Sequence, residues 1–224
     1  MKKILALLLA AMLGISLAAC GKGKNDTSSE DVGGLTGGWE NSDSPVVTDE
    51  VKAVLEKATA EMTGATYEPV AYIGSQVVAG TNHRILCKMT PVVPDAESTY
   101  AIVTVYEDLE GNASVIEVLN SEAKVMVTDE ELDGGWSAPK SPELTKESID
   151  VLKKATEKSA KGSFSPVALL GTQVVAGINY CMLCEITPVT ENPESHYSVV
   201  VVYDGADGTT SVLETFDFSS DAAE

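Results

Sequence analysis

The feature that most constrains this chain is that much of it is written twice. Gly37-Gly38-Trp39 recurs as Gly134-Gly135-Trp136, and Gln76-Val77-Val78-Ala79-Gly80 recurs as Gln173-Val174-Val175-Ala176-Gly177. Tyr106 recurs as Tyr203, and Gly111 as Gly208. Each pair is offset by 97 residues, and the register holds without a gap from Gly37 to about Leu119. Solenoid repeats have periods of roughly 20–50 residues, so this interval marks a duplicated domain and not a stacked array. The copies are read as residues 37–120 and 134–219, joined by an acidic connector at 121–133. A copy that small has only a thin core of its own.

Each copy repeats one order of elements. Asp49 to Met62 places apolar side chains at Val51, Val54, Leu55, Ala58 and Met62, the spacing of an amphipathic helix. Thr145 to Lys161 does the same with Ile149, Val151, Leu152, Ala155 and Ala160. Pro45 and Pro142 lie just upstream, where helix starts allow them. Thr48 with Val51 at N3 supplies half of a capping box. β-rich runs follow at Tyr67–Val78, Thr81–Val92, Tyr100–Glu107 and Ser114–Leu119, broken by Gly, Pro, Asp and Asn. This order predicts an α+β protein of two domains, each with one helix packed on a four- to five-stranded antiparallel sheet. The helix and one apolar face of the sheet would bury each other.

The N-terminus reads as an export signal. Lys2 and Lys3 precede an apolar run from Ile4 to Leu17, short for a membrane span and suited to a signal peptide at residues 1–19. Leu17-Ala18-Ala19-Cys20 resembles a bacterial lipobox, so Cys20 is expected to become a lipidated first residue that anchors the chain to the cell envelope. Ordinary secretion and an uncleaved anchor are the alternatives. Residues 20–36 are polar and rich in Gly and Ser, as in a flexible tether. Loss of Lys2 and Lys3 lowers the basic residues from 15 to 13 against 34 acidic ones, taking the net charge from −19 to −21. Such acidity offers no face for nucleic-acid phosphates, so no nucleic-acid partner is expected.

The pentapeptide is an odd joint between strands. Hairpin tips favour Asn, Asp, Gly or Pro, which suit turn dihedrals and water. Here the joint is Val-Val-Ala-Gly, in which only Gly80 and Gly177 tolerate positive φ freely. One reading buries these residues within a continuous strand. The other makes them an exposed apolar wedge that a partner's groove covers.

Taken together, these elements resemble the cystatin family, inhibitors of papain-like cysteine proteases. Gln-Val-Val-Ala-Gly, followed by Asn82 and Asn179, is similar to the family's first hairpin loop, and Thr172 to Tyr180 is close to the stefin branch. Gly37-Gly38 and Gly134-Gly135 match the glycine pair before the helix. The resemblance implies reversible occlusion of a protease cleft by an N-terminal trunk and two hairpins. In copy one it implies contacts from Leu35, Gly37, Gly38, Gln76, Val77, Val78, Ala79, Gly80 and Leu109. In copy two it implies contacts from Leu132, Gly134, Gly135, Gln173, Val174, Val175, Ala176 and Gly177. The second hairpin departs from the family pattern: Asp108-Leu109-Glu110-Gly111 is a partial echo, while Asp204 to Gly208 lacks an apolar anchor.

Other residues read as structural. Cys87 and Cys184 are equivalent and fall on faces shared with Ile85 and Met182, as buried core thiols. Cys181 lies on the opposite face of its strand and reads as an exposed thiol. His83 and His196 have no partner at a spacing that suggests catalysis or a metal site. No cofactor, metal or catalytic residue is expected, and the protein is read as a monomeric inhibitor and not an enzyme. The rival readings are a non-inhibitory cell-surface binding module that uses the same apolar tips, and a small-ligand carrier or enzyme with a deep polar pocket.

Overall fold

The structure is a computed structural model that describes residues 37–125, 127 and 134–220. The expected tether, Cys20, the signal segment and most of the acidic connector lie outside the described residues.

Both helices form where the capping chemistry places them, and both are shorter than the apolar spacing suggested. α1 spans Asp49–Thr59, and the Thr48 hydroxyl accepts a hydrogen bond from the Val51 amide at 3.3 Å. α2 spans Lys146–Thr156 and has a complete box, because the Thr145 hydroxyl accepts from the Ser148 amide and the Ser148 hydroxyl accepts from the Thr145 amide. Asp49 and Glu50 occupy the first turn of α1 and Lys57 its last, in line with the helix dipole. Among the described residues no helix is long and apolar enough to cross a membrane.

Strands make up the rest. In copy one these are β1 (Trp39–Asn41), β2 (Ala65–Val78), β3 (Gly80–Pro91), β4 (Thr99–Glu107) and β5 (Ala113–Lys124). In copy two they are β6 (Trp136–Ser137), β7 (Ser163–Val175), β8 (Gly177–Thr187), β9 (His196–Gly205) and β10 (Thr210–Ser219).

The expected α+β class, with two separate helix-on-sheet domains, is overturned. Among the described residues the fold is mostly antiparallel sheet, 53% strand against 12% helix, in one ten-stranded sheet curled as a half-barrel. The strand order is β1-β2-β3-β4-β5-β10-β9-β8-β7-β6. The two copies join because β5 runs past Leu119 to Lys124, and its end pairs antiparallel with the end of β10 through Ser121↔Phe218 and Asn120↔Ser219.

A second reason is that the sheet is apolar on both faces. Ile85, Cys87, Val103 and Val105 point to α1, where Val51, Val54 and Leu55 cover them. Met182, Cys184, Val200 and Val202 point to α2, Val151 and Leu152. The alternate residues face the other copy, so Leu86, Ile102 and Tyr100 share a single core with Leu183, Val199 and Val201. Neither copy therefore has a polar outer face of the kind a solitary one-sided sheet needs. Cys181 falls on this shared face and is 2% exposed. That corrects its reading as an exposed thiol: the face opposite Cys184 is covered by the other copy and not by water.

Candidate functional site

The glycine pair and the apolar hairpin of each copy come together at one edge. β1 pairs with the end of β2, with Trp39 opposite Gln76, which brings Gly37 beside the β2–β3 tip. The Gln76 side chain makes the link. Its Nε2 donates to the Gly37 carbonyl at 2.8 Å, and its Oε1 accepts from Asn82 Nδ2 at 2.8 Å. Copy two repeats the arrangement, with Gln173 Nε2 donating to Gly134 O at 2.9 Å and Asn179 Nδ2 donating to Gln173 Oε1 at 2.7 Å. A glutamine side chain is long enough to bridge two chain segments, with a donor for one and an acceptor for the other.

The tip is an exposed turn and not buried strand. Val77 and Val78 are 54% and 42% exposed, and Val174 and Val175 are 70% and 43%. Gly80 closes the turn at φ +134°, where a Cβ would stand 2.3 Å from the Glu107 carbonyl oxygen. Gly177, at φ +150°, meets the Asp204 carbonyl oxygen in the same way. Both conditions exclude other residues, the first by backbone strain and the second by overlap.

Two residues that sequence reasoning used only as markers of the repeat prove to be struts. The Tyr106 hydroxyl donates to the Ala79 carbonyl at 2.6 Å, and the Tyr203 hydroxyl to the Ala176 carbonyl at 2.8 Å. Each ring packs beneath the turn glycine, with Tyr106 Cε2 2.8 Å from where a Gly80 Cβ would lie. Their signal in the sequence was recurrence at the common offset, without any indication of role.

The second hairpin, β4–β5, lies at the same edge, because Thr81 at the start of β3 pairs with Glu107 at the end of β4. In copy one it presents Leu109, 87% exposed, on a loop shaped by the Asp108 carboxylate, which accepts from the Glu110 and Asn112 amides. A hydrogen bond from the Asn112 side chain, with those from the Asn112 and Glu110 amides, holds the Asp108 carboxyl below its ordinary pKa. Lys57 of α1 donates to the Gly111 carbonyl and ties this loop to the helix. In copy two the loop carries Ala206 and Asp207, with no large apolar group. Copy two has instead Ile178, 36% exposed and paired across the first hairpin with Val174, where copy one has Thr81. Ile178 is a candidate contact that the family pattern did not point to.

Gly37 and Gly134 adopt φ of +97° and +74°, and nothing in the protein lies within 4 Å of a Cβ placed on either. Glycine is required there by the bend and not by internal crowding. Leu35 and Leu132 lie outside the described residues. The remaining expected contacts, Gly38, Gly135, Gln76, Ala79, Gln173 and Ala176, all belong to these two edges.

No protein-family model matches this sequence, and no curated protein is significantly similar to it.

Cavities elsewhere offer less chemistry. One of about 930 Å³ lies at the β5–β10 seam among Tyr67, Met89 and Phe216. Its carboxylates, Glu97, Glu122 and Asp217, are all exposed. No cluster of three metal-ligating side chains occurs among the described residues.

Proposed function

We propose that this protein is a reversible, non-catalytic inhibitor of papain-like cysteine proteases, held outside a membrane by a lipid on Cys20. One observation carries the reading: in both copies a glutamine side chain ties the N-terminal glycine to an exposed, apolar hairpin tip on one edge. An apolar turn exposed to water contributes nothing to folding, so its duplication is better accounted for by a partner that buries it. A trunk without a side chain lets backbone approach a deep cleft, and valines beside it exclude water from the rim. The rigid struts from Tyr106 and Tyr203 reduce the ordering cost of binding, which would otherwise weaken the complex. The lipid anchor rests on the sequence around Cys20.

The test is to titrate papain with the full chain. The expected result is loss of peptidase activity with an apparent Kd below about 1 µM. No inhibition at that level overturns the reading. Binding without inhibition would point to the non-inhibitory module that uses the same tips.

A further inference from the structure

We infer that the two contact edges face opposite ways and that one chain holds two protease molecules at once, as a bridge. This rests on the reading of the edges given above and adds their mutual arrangement. The β5–β10 seam is antiparallel, so the start of β5 and the start of β10 run away from each other. Each start adjoins its own copy's hairpin tips. From Ala113 to the seam and on to Thr210 is some 16 strand steps of about 3.3 Å, or about 50 Å along the strands.

Contacts across the shared core agree with this direction. Arg84, near the tip end of β3, stacks over Trp39 at 3.8 Å and over Tyr197 at 5.5 Å. Tyr197 is the second residue of β9, at the end of copy two most distant from its own tip. A cavity of about 570 Å³ is lined by Asn41 and Ile73 from the tip half of copy one and by Ser165 and Glu185 from the far half of copy two. The reverse pairing occurs around Glu68, Lys88, Ala138 and Pro139. Each edge is thus set against the other copy's far end.

A globular partner of about 220 residues has a radius of gyration near 17 Å and is about 45 Å across. Two such partners at edges about 50 Å apart and facing away from each other do not collide. The continuous sheet between them has no linker to flex, so the spacing is fixed.

The experiment uses the full chain in detergent with papain whose active-site thiol has been carboxymethylated. Sedimentation at saturating papain is expected to give two partners per chain. Val77→Asp with Val78→Asp and Leu109→Asp should leave one partner bound, Val174→Asp with Val175→Asp should also leave one, and all five substitutions none. These side chains are exposed, and unchanged melting of each variant shows that folding is intact. Scattering from the ternary complex should place the partner centres more than about 70 Å apart. One partner per chain, with inhibition retained, overturns the bridge and spares the inhibitor reading. Centres about 45 Å apart also overturn it, because the edges then share a side. No complex and no inhibition overturn both.

Discussion

The two copies share one framework and distribute their exposed apolar groups differently. Copy one divides them between two hairpins, Val77 and Val78 on the first and Leu109 on the second. Copy two gathers Val174, Val175 and Ile178 on the first hairpin, and its second carries Ala206 and Asp207. The bridging glutamine, the Val-Val tip, the turn glycine, the tyrosine strut and the glycine at the bend recur without change. The copies differ in the apolar groups that flank the tip, Leu109 in one and Ile178 in the other. That is the pattern expected of two sites tuned to different grooves.

The strongest way to break this comparison is to separate the copies. Residues 37–125 expressed alone would expose Leu86, Ile102 and Tyr100 to water, and each buried side chain of that kind contributes about 1.5–3 kcal/mol. The isolated copy is expected to show no cooperative thermal transition. A melt at the full chain's temperature would mean that the shared core is dispensable.

The next largest effect tests where each copy keeps its anchor. Val174→Asp with Val175→Asp should weaken papain binding at copy two by at least about 100-fold, since hot-spot losses exceed about 2 kcal/mol each. Val77→Asp with Val78→Asp should cost copy one about tenfold less, because Leu109 remains. Equal losses, measured by titration of each single-site variant, would remove the distinction.

A smaller exchange sharpens it. Leu109→Ala should weaken copy one by about five- to tenfold and leave copy two unchanged, while Ile178→Thr should do the reverse. Competition assays on chains with the other site disabled read both directions.

The smallest effect concerns thiols, of which copy two has two and copy one has one. Burial raises all three, Cys181 to about 12 and the others further. The unfolded thiol ionises near pH 8.5, so their contribution is full below that value and falls as pH rises toward the folded pKa. At pH 9 each thiol removes under about 1 kcal/mol. Urea melts at pH 7.5 and pH 9 should therefore differ, and Cys181→Ala with Cys184→Ala should narrow the gap more than Cys87→Ala.

Much of the local structure was legible. The helix starts, the strand runs and the exposure of the Val-Val tip follow from capping residues, β-branched runs and a turn glycine. The joining of the copies was not read, although the sequence carried it. Ala101-Ile102-Val103 and Val199 to Val202 are continuous apolar runs, which mark strands buried on both faces. The segment read as the connector begins with Ser121-Glu122-Ala123-Lys124, whose alternation continues the strand and buries Ala123. The link from Gln76 to Gly37 spans 39 residues of sequence, and no local pattern reveals a hydrogen bond at that range. Leu35, Leu132 and Cys20 lie outside the described residues.

Arg84, the chain's single arginine, occupies the position that Cys181 occupies in the other repeat, and it lies between aromatic rings from both halves. Two once-interchangeable units have thus become left and right. A gene that lost the second repeat would strip Tyr197 from one side of this guanidinium and leave Trp39 alone against it, so the tandem can drift in sequence but cannot easily return to its first half.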